Sequence, residues 1–134
     1  MKEKLRKINL RTALIMAICF YSLTMALHIL VISSVIPFSW VNGGRSDSFE
    51  SQLPISVVGM VVCIIGGAFT IFAGQKKRYL HKRGRSIICW CFVALWTFGF
   101  FQQLLGTSFE KLVCSFLLLL GVVSHLRMAI ETRR

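Results

Sequence analysis

The side chains of this chain that could do chemistry are few, and the most distinctive is a histidine inside an apolar segment. His28 falls in a run of about 25 mostly apolar residues, from Thr12 to Ile36, long enough to cross a bilayer. On a helix Tyr21, Thr24 and His28 share one face by their i, i+3, i+7 spacing. An ionisable group inside a membrane suggests a functional site, whereas a neutral histidine bonded to a neighbouring helix would be structural. Both interpretations of this polar face stay open.

The other histidines and the five cysteines do not form a recognisable cofactor site. Haem would need a second axial ligand at the depth of His28, but His125 falls near the opposite side of the membrane and His81 in a basic connection. There is no CxxC motif, and Cys89 and Cys91 would point about 200° apart on a helix. We therefore expect no cofactor and no metal, with cysteines acting as small apolar residues. Two pairs lie at matching depths and could meet: Cys19 with Cys91, and Cys63 with Cys114.

The main polar stretch is FSWVNGGRSDSFESQLP, residues 38 to 54. Its adjacent glycines permit positive φ and a tight turn, and its tryptophan suits a membrane interface. One interpretation is a solvated turn with a salt bridge between the arginine and the acids. The other is that the turn covers the mouth of a bundle and directs the arginine or exposed amides at an anionic ligand or a partner protein. This candidate binding site comprises Trp40, Asn42, Gly43, Gly44, Arg45, Asp47 and Glu50.

Composition places these residues in a membrane protein. The chain is 55% hydrophobic and 16% charged, with a mean hydropathy of +0.69, whereas soluble domains contain about 25% charged residues. Its 134 residues predict one domain, 1–134, without a signal peptide, because the first apolar run exceeds the roughly 7 to 15 residues of such a segment. Helices are expected because the apolar runs do not alternate like barrel strands. Four spans are predicted, at about 12–36, 55–74, 86–105 and 109–128.

The basic residues predict how the spans are oriented. The net charge is +11, and 14 of the 16 Lys and Arg residues lie in the two ends of the chain or in the 75–85 connection. The connections at 37–54 and 106–110 hold only Arg45 and Lys111. Positive loops stay in the cytoplasm, so we expect both termini inside a bacterial cytoplasmic membrane. This placement explains the charge by topology and does not favour nucleic-acid binding.

Local signals predict how the spans begin, end and pack. Pro37 should close the first span, and Thr107 to Glu110 (TSFE) should form a capping box that starts the fourth. Short connections should make spans 2 and 3, and spans 3 and 4, antiparallel neighbours in an all-α four-helix membrane bundle. In span 2 the small residues Gly59, Cys63 and Gly67 form a stripe that favours close helix packing.

The segment from Ile36 to Glu50, a proline followed by WVNGGR after a first span, resembles small four-span bacterial membrane proteins. The resemblance covers one short motif and the hydropathy pattern, and it implies no activity and no site residues.

No catalytic motif is visible, so no catalytic residues are assigned. We expect a non-enzymatic binding or accessory protein that uses its outer loop and a groove between helices. The alternatives are a transporter or channel subunit with a polar path near His28, and a membrane enzyme acting on lipid or quinone. The partners we consider are the lipid bilayer, a protein partner or second copy of the chain, and a small anionic ligand on the outer side; nucleic acid is not among them.

Overall fold

The computed structural model describes residues 2–74 and 82–131, and in these ranges every regular element is a helix. A short helix precedes four long ones: α1 (Lys2–Arg6), α2 (Leu10–Ile32), α3 (Phe49–Gly74), α4 (Lys82–Leu104) and α5 (Ser115–Glu131). Two 3-10 turns follow α2, and a wider π turn precedes α5: Phe38–Trp40, Asn42–Gly44 and Glu110–Cys114. The predicted basic connection at 75–85 falls mostly outside the described residues.

Four of these helices are long and apolar enough to span a membrane. They cover Leu10–Ile32, Phe49–Phe72, Arg83–Leu104 and Glu110–Ile130. Their outer faces carry large apolar side chains, such as Phe98 at 65% exposure and Leu112 at 78%. A contiguous apolar exterior of this kind would be a liability in water and is suited to lipid. The prediction of an all-helical chain with four apolar spans is confirmed.

The first span ends earlier than the sequence suggested. α2 stops at Ile32 rather than near Ile36, because Ser34 takes a left-handed conformation with φ 62. The N–H of Val35 then donates to the Leu30 carbonyl at 3.0 Å and that of Ser34 to the Val31 carbonyl at 3.1 Å, which closes the helix end as a Schellman motif. The chain has therefore left the helix before it reaches Pro37.

The second span begins earlier than predicted, at Phe49 rather than near residue 55. Ser48 caps it, because the Ser51 N–H donates to Ser48 Oγ and the Ser48 N–H to Ser51 Oγ, each at 3.2 Å. Pro54 lies inside this helix, where it removes one backbone donor. The outer connection is thus residues 33–48, which is two residues shorter than the predicted 37–54 and shifted towards the N-terminus.

The capping box at the start of the fourth span is confirmed. The Thr107 N–H donates to Glu110 Oε2 at 2.9 Å, and the Glu110 N–H lies 3.4 Å from Thr107 Oγ1. The two side chains therefore satisfy two N–H groups at the helix entrance reciprocally. This local signal was strong enough to be found in the sequence.

The central helix of the bundle is α5. It packs against both α2 and α4, and α2 packs in turn against α3. Half of the residues in the α5 span (50%) are buried, against 11% in α4. We call the end at which α2 begins and α5 ends the terminal end, and the opposite end, with residues 33–48, the loop end.

The prediction that spans 2 and 3 are close neighbours is wrong for most of their length. In the described residues α3 and α4 do not pack side by side, since α3 follows α2 instead. Their side chains meet through Phe69 and Phe92, whose rings stack with centroids 5.8 Å apart in the terminal half of the bundle. Towards the loop end the two helices leave a gap, so the helix order across the bundle is α3, α2, α5, α4.

Glycines bring α3 against α2. The ring of His28 lies on Gly59 and the ring of Tyr21 lies on Gly66, so closely that a Cβ at either glycine would overlap the ring. Cys63 is buried between these two contacts. Gly67 makes no such approach, because a Cβ there would be 3.8 Å from Tyr21 Cβ, an ordinary distance. The contacts that hold α3 to α2 therefore depend on Gly59 and Gly66, with ring faces against bare backbone.

A buried hydrogen bond joins α2 to α5 in the core. Tyr21 Oη lies 2.8 Å from His125 Nε2, and His125 Nδ1 lies 2.7 Å from the Gly121 carbonyl oxygen. Because a carbonyl only accepts, Nδ1 carries the proton and Nε2 accepts from the Tyr21 hydroxyl. Phe20 packs beside this pair and against Gly121, where an added Cβ would lie only 2.9 Å from the Phe20 ring. His125 thus acts as a satisfied core residue that fixes one helix against another.

These contacts predict different effects for two neighbouring glycines. We expect Gly66→Ala to lower the free energy of unfolding by about 1–3 kcal/mol, because the new methyl would displace the Tyr21 ring from His125. Gly67→Ala should change it by less than about 0.5 kcal/mol, the usual range away from tight contacts. Reversible unfolding in mixed micelles measures both, and equal effects of the two substitutions would contradict this packing.

Candidate functional site

A single buried carboxylate organises the loop end. Glu110 is 2% exposed, and the Gly43 N–H donates to both of its oxygens, at 3.0 and 2.9 Å. The Thr107 N–H donates to Oε2 as well. Gly106 provides the space, because a Cβ at that position would overlap the carboxylate. Glu110 therefore ties the loop that follows α2 to the start of the fourth span.

The loop can meet this carboxylate because three consecutive residues are left-handed. Asn42, Gly43 and Gly44 have φ values of 54, 66 and 67. A tight turn of this kind can direct a backbone N–H group at an anion. The N–H groups of Gly44 and Arg45 donate to carbonyls of Val41 and Asn42, and that of Gly43 faces Glu110. One of the two interpretations of this turn was that it offers exposed amides to an anionic ligand or a partner, but the anion at Gly43 is the chain's own Glu110.

The other predicted residues of the loop divide into two groups. Trp40 lies over the fourth span, with its ring 5.7 Å from that of Phe109 and its carbonyl accepting from the Thr107 hydroxyl. It is half exposed, and it reinforces the link that Glu110 makes.

Arg45, Asp47 and Glu50 form the second group, and all three side chains are exposed. The Arg45 side chain runs alongside Gly43, and among the described residues no ion pair ties it to either acid. The structure therefore does not bring these three together with Trp40 and Glu110 into one site.

A chain of polar side chains, which the sequence did not reveal, runs from the loop into α3. Asn42 Nδ2 donates to Ser46 Oγ at 3.3 Å, Ser46 Oγ donates to Gln52 Oε1 at 2.6 Å, and Gln52 Nε2 donates to Ser56 Oγ at 3.2 Å. Ser46, Gln52 and Ser56 are buried. The i, i+4 spacing of Gln52 and Ser56 was the one local signal, since it places both on a single helix face.

Beneath this loop the bundle holds a cavity of about 430 Å³. Small-molecule sites commonly enclose roughly 300–1,000 Å³. It is large enough for one small ligand. Its polar lining gathers at the loop end and consists chiefly of His28, Asn42, Gln52, Ser56, Gln103 and Glu110.

The rest of the lining is apolar and reaches the outside of the bundle. Leu27 of α2 and Leu117 of α5 form the inner wall. Ile55 of α3 and Leu95 and Phe98 of α4 line the cavity too, although they are 45%, 47% and 65% exposed. These exposed residues flank the gap that α3 and α4 leave between them. The cavity therefore opens sideways, at the level of the apolar spans.

Aromatic rings form the floor of the cavity. Trp96 lines it, and the Phe20 ring meets the Trp96 ring edge-on at 5.1 Å. Phe92 stacks under Trp96 at 6.1 Å and is itself stacked on Phe69. Together with the Tyr21–His125 pair, these rings occupy the interior between the cavity and the terminal end.

The predicted polar face of α2 is divided between two environments. His28 and Thr24 line the cavity, while Tyr21 lies in the core against Gly66. The Thr24 hydroxyl donates to the Phe20 carbonyl of its own helix at 2.7 Å, so only part of its hydrogen-bonding capacity remains. The structure therefore places the His28 side chain at the cavity and gives Tyr21 a contact in the core.

Cofactor chemistry finds no support in the described ranges 2–74 and 82–131. They contain no group of three or more His, Cys, Asp or Glu side chains placed to hold a metal ion. All five cysteines are free thiols, and the two pairs at matching depth are not bonded. Of the five cysteines, Cys114 is the one that lines the cavity.

Comparison of the chain with protein-family models, with curated proteins and with solved structures finds no match. Function has therefore to be inferred from the geometry of the chain itself. The features that matter most are the contact of Glu110 with Gly43, which the sequence did not predict, and the laterally open cavity, for which the sequence suggested only an unspecified groove between helices.

The Glu110 link can be tested with a matched pair of acids. In Glu110→Gln an oxygen at the Oε2 position still accepts from the Gly43 and Thr107 N–H groups, but the negative charge is lost. The new N–H₂ group at the Oε1 position then faces the Gly43 N–H, donor against donor, and weakens the contact with the loop. We expect hydrogen exchange at the Gly43 amide to accelerate about tenfold, the equivalent of ~1.4 kcal/mol. Glu50→Gln, at an exposed acid of the same loop, should leave that rate unchanged. An unaltered Gly43 rate in Glu110→Gln would show that the carboxylate does not hold the loop.

Proposed function

We propose that this chain is a small multi-pass membrane protein that binds an amphipathic small molecule in the cavity beneath its loop. The observation that carries the proposal is the division of the lining, with polar groups gathered at the loop end and apolar side chains towards a lateral opening. An amphipathic molecule in a bilayer has the same division, with its polar group at the interface and its chain in the hydrocarbon.

The lateral opening supports entry from the membrane. Ile55 and Phe98 flank the gap on α3 and α4, and both are exposed on the surface that lipid would cover. A molecule already dissolved in the bilayer could enter between these helices without crossing the polar loop. The loop, held by Glu110 and Thr107, then covers its polar end.

The floor of the cavity favours binding over conduction. A transport path would have to continue from His28 to the terminal end, but the rings of Phe20, Phe92 and Trp96 and the Tyr21–His125 bond occupy that interior. Moving them would break a buried hydrogen bond and an aromatic cluster, each of which stabilises the fold.

The lining also favours binding over catalysis. The groups there with reactive side chains are His28, Cys114, Glu110 and the hydroxyls of Thr24 and Ser56, and the Glu110 carboxylate already accepts from two backbone amides. The Thr24 hydroxyl donates to its own helix and Ser56 Oγ accepts from Gln52. The His28 ring rests on Gly59, and among the described residues it makes no hydrogen bond to a hydroxyl or a thiol. A nucleophile paired with a base, which an enzyme acting on lipid would need, has no counterpart in this arrangement.

As part of the same proposal, the chain lies in a bacterial cytoplasmic membrane with both termini inside and the loop end outside. The support is the concentration of Lys and Arg at the chain ends and in the 75–85 connection. The cavity would then face the outer leaflet, and the exposed Arg45 would lie on the outer surface.

Two glycines of α4 provide a test of cavity binding. Gly99 lines the cavity, where a Cβ would be 3.4 Å from Leu118 Cδ1, while a Cβ on Gly84 meets nothing within 4 Å. We expect Gly99→Leu to fill the space and to reduce binding of single-chain amphiphiles at least tenfold, and Gly84→Leu to leave binding intact. The measurement is quenching of Trp96 fluorescence by chain-brominated amphiphiles, in the full chain with Trp40 and Trp90 replaced by Phe. The proposal is refuted if no amphiphile, whatever its head group, quenches Trp96 more strongly in the parent chain than in Gly99→Leu.

Membrane orientation can be tested by thiol labelling of intact cells. Ser39 and Lys4 are exposed and lie at opposite ends of the bundle, so each is replaced by cysteine in turn. A membrane-impermeant maleimide should label Ser39→Cys in intact cells and Lys4→Cys only after the cells are broken. The parent chain, whose five thiols fall within the spans, is the control for background labelling. Labelling of both sites in intact cells would contradict the proposed orientation.

A further inference from the structure

We propose that α1 and the turn after it form a binding surface for anionic phospholipid head groups at the terminal end of the bundle. This surface is separate from the cavity and does not depend on the binding of a ligand there. Three features support it: the contact that fixes α1 to α5, the depth of α1 relative to the apolar spans, and the exposed basic side chains that it carries.

A buried arginine fixes α1 to the bundle. Arg127, near the end of α5, is 5% exposed, and its Nε donates to the Ile8 carbonyl at 2.7 Å. Asn9 then caps α2, because the Arg11 N–H donates to Asn9 Oδ1 at 3.2 Å. The chain therefore makes a defined turn between α1 and α2, and α1 packs against α5. This segment is a folded element with a fixed place on the bundle.

The same contact sets the depth of α1. Arg127 lies inside the fourth apolar span, which ends at Ile130, and the first apolar span begins at Leu10. The Ile8 carbonyl is therefore at the edge of the hydrocarbon. Lys4 lies at most about 10 Å from Ile8, because two of the four residue steps between them are helical. The head-group layer on each side of a bilayer is roughly 5–8 Å thick, so α1 lies within or beside it.

The side chains of α1 and its turn divide into an apolar and a basic set. Leu5 and Ile8 are half-buried, whereas the four basic residues that follow Glu3 are exposed. These four are Lys4, Arg6, Lys7 and Arg11. Among the described residues none of the four is ion-paired, so their charges are directed at the surroundings. An excess of positive charge at the level of the head groups attracts anionic lipid.

Membrane topology alone does not account for this arrangement. The positive-inside bias depends on how many Lys and Arg residues lie near a span, and not on how they are folded. A buried guanidinium inside an apolar span is a costly placement, and here Arg127 holds the backbone of Ile8. Fixing α1 in advance reduces the entropy that its basic residues lose when they bind. The buried arginine therefore organises α1 for contact with head groups.

The loop end has no comparable excess of charge in the described part of the chain. Its exposed basic residues are Arg45 and Lys111, and its exposed acids are Asp47 and Glu50. The two signs balance, so an anionic head group gains little at this end. The two basic residues of the loop end provide a matched control for those of α1.

The test measures which lipid surrounds the first turns of α2. Ile15 is exposed and lies four residues after Arg11 on the same helix face. It is replaced by Trp in the full chain, and the three native tryptophans are replaced by Phe. Quenching is recorded as brominated phosphatidylglycerol or brominated phosphatidylcholine replaces the phosphatidylcholine of the vesicles. We expect the anionic lipid to reach half-maximal quenching at a mole fraction about tenfold lower at low salt, and to lose this advantage in ~1 M salt.

Three variants separate the roles of charge, position and folding. Lys4→Gln with Lys7→Gln removes two charges of α1 and should reduce the preference to about twofold. Arg45→Gln with Lys111→Gln removes the same charge at the loop end and should leave the preference at about tenfold. Leu5→Ser keeps every charge and removes an apolar side chain of α1, so the preference should fall to about threefold. Circular dichroism and gel-filtration elution check that the variants are folded.

Each of three results would overturn the inference. Equal quenching by the two lipids in the parent chain would show that there is no such surface. An equal loss in the loop-end pair would assign the preference to net charge alone. A full preference in Leu5→Ser would assign it to a basic tail that need not be folded. Both leaflets of the vesicles have the same composition, so the direction of insertion does not affect the measurement. None of these results bears on the cavity.

Discussion

The loop end of this protein depends on one buried carboxylate. Glu110 accepts from the backbone of Gly43 and Thr107, and so joins two connections that are far apart in the sequence. The left-handed residues 42–44 make this contact geometrically available, and Gly106 leaves room for it. Asn42 starts the polar chain that ends at Ser56. Because the loop is fixed in this way, the bundle has a polar cover rather than an open mouth.

The cavity under that cover follows from how the helices share their contacts. The rings of Tyr21 and His28 need bare backbone, and Gly66 and Gly59 supply it, so α3 packs against α2. The Tyr21–His125 bond then holds α2 to α5, and α4 packs on the other side of α5. Nothing in this order draws α3 to α4 near the loop end. The gap between them is therefore a consequence of favourable contacts elsewhere in the bundle.

Local signals in the sequence were sufficient for the four spans and for the cap formed by Thr107 and Glu110, because each depends on neighbouring residues. The contact of Glu110 with Gly43 spans 67 positions and that of Tyr21 with His125 spans 104. Hydropathy and spacing carry no information on such pairs. Short connections suggested that α3 and α4 pack together, but side-chain shape decided otherwise. The sequence singled out this loop, but it did not reveal that Glu110 is the partner of the Gly43 amide.

Gly99 gives a physical reason to regard the cavity as more than a packing defect. Glycine in a helix is less favourable than alanine by about 1 kcal/mol, and a Cβ at this position would make only a close contact with Leu118. Packing would therefore tolerate a small side chain here, and that side chain would narrow the cavity. At Gly66 and Gly59, by contrast, a Cβ overlaps a ring, so packing itself requires the glycine. Gly99 therefore keeps space in the cavity although the packing of the helices does not require a glycine at this position. Binding a ligand in the cavity would require that space.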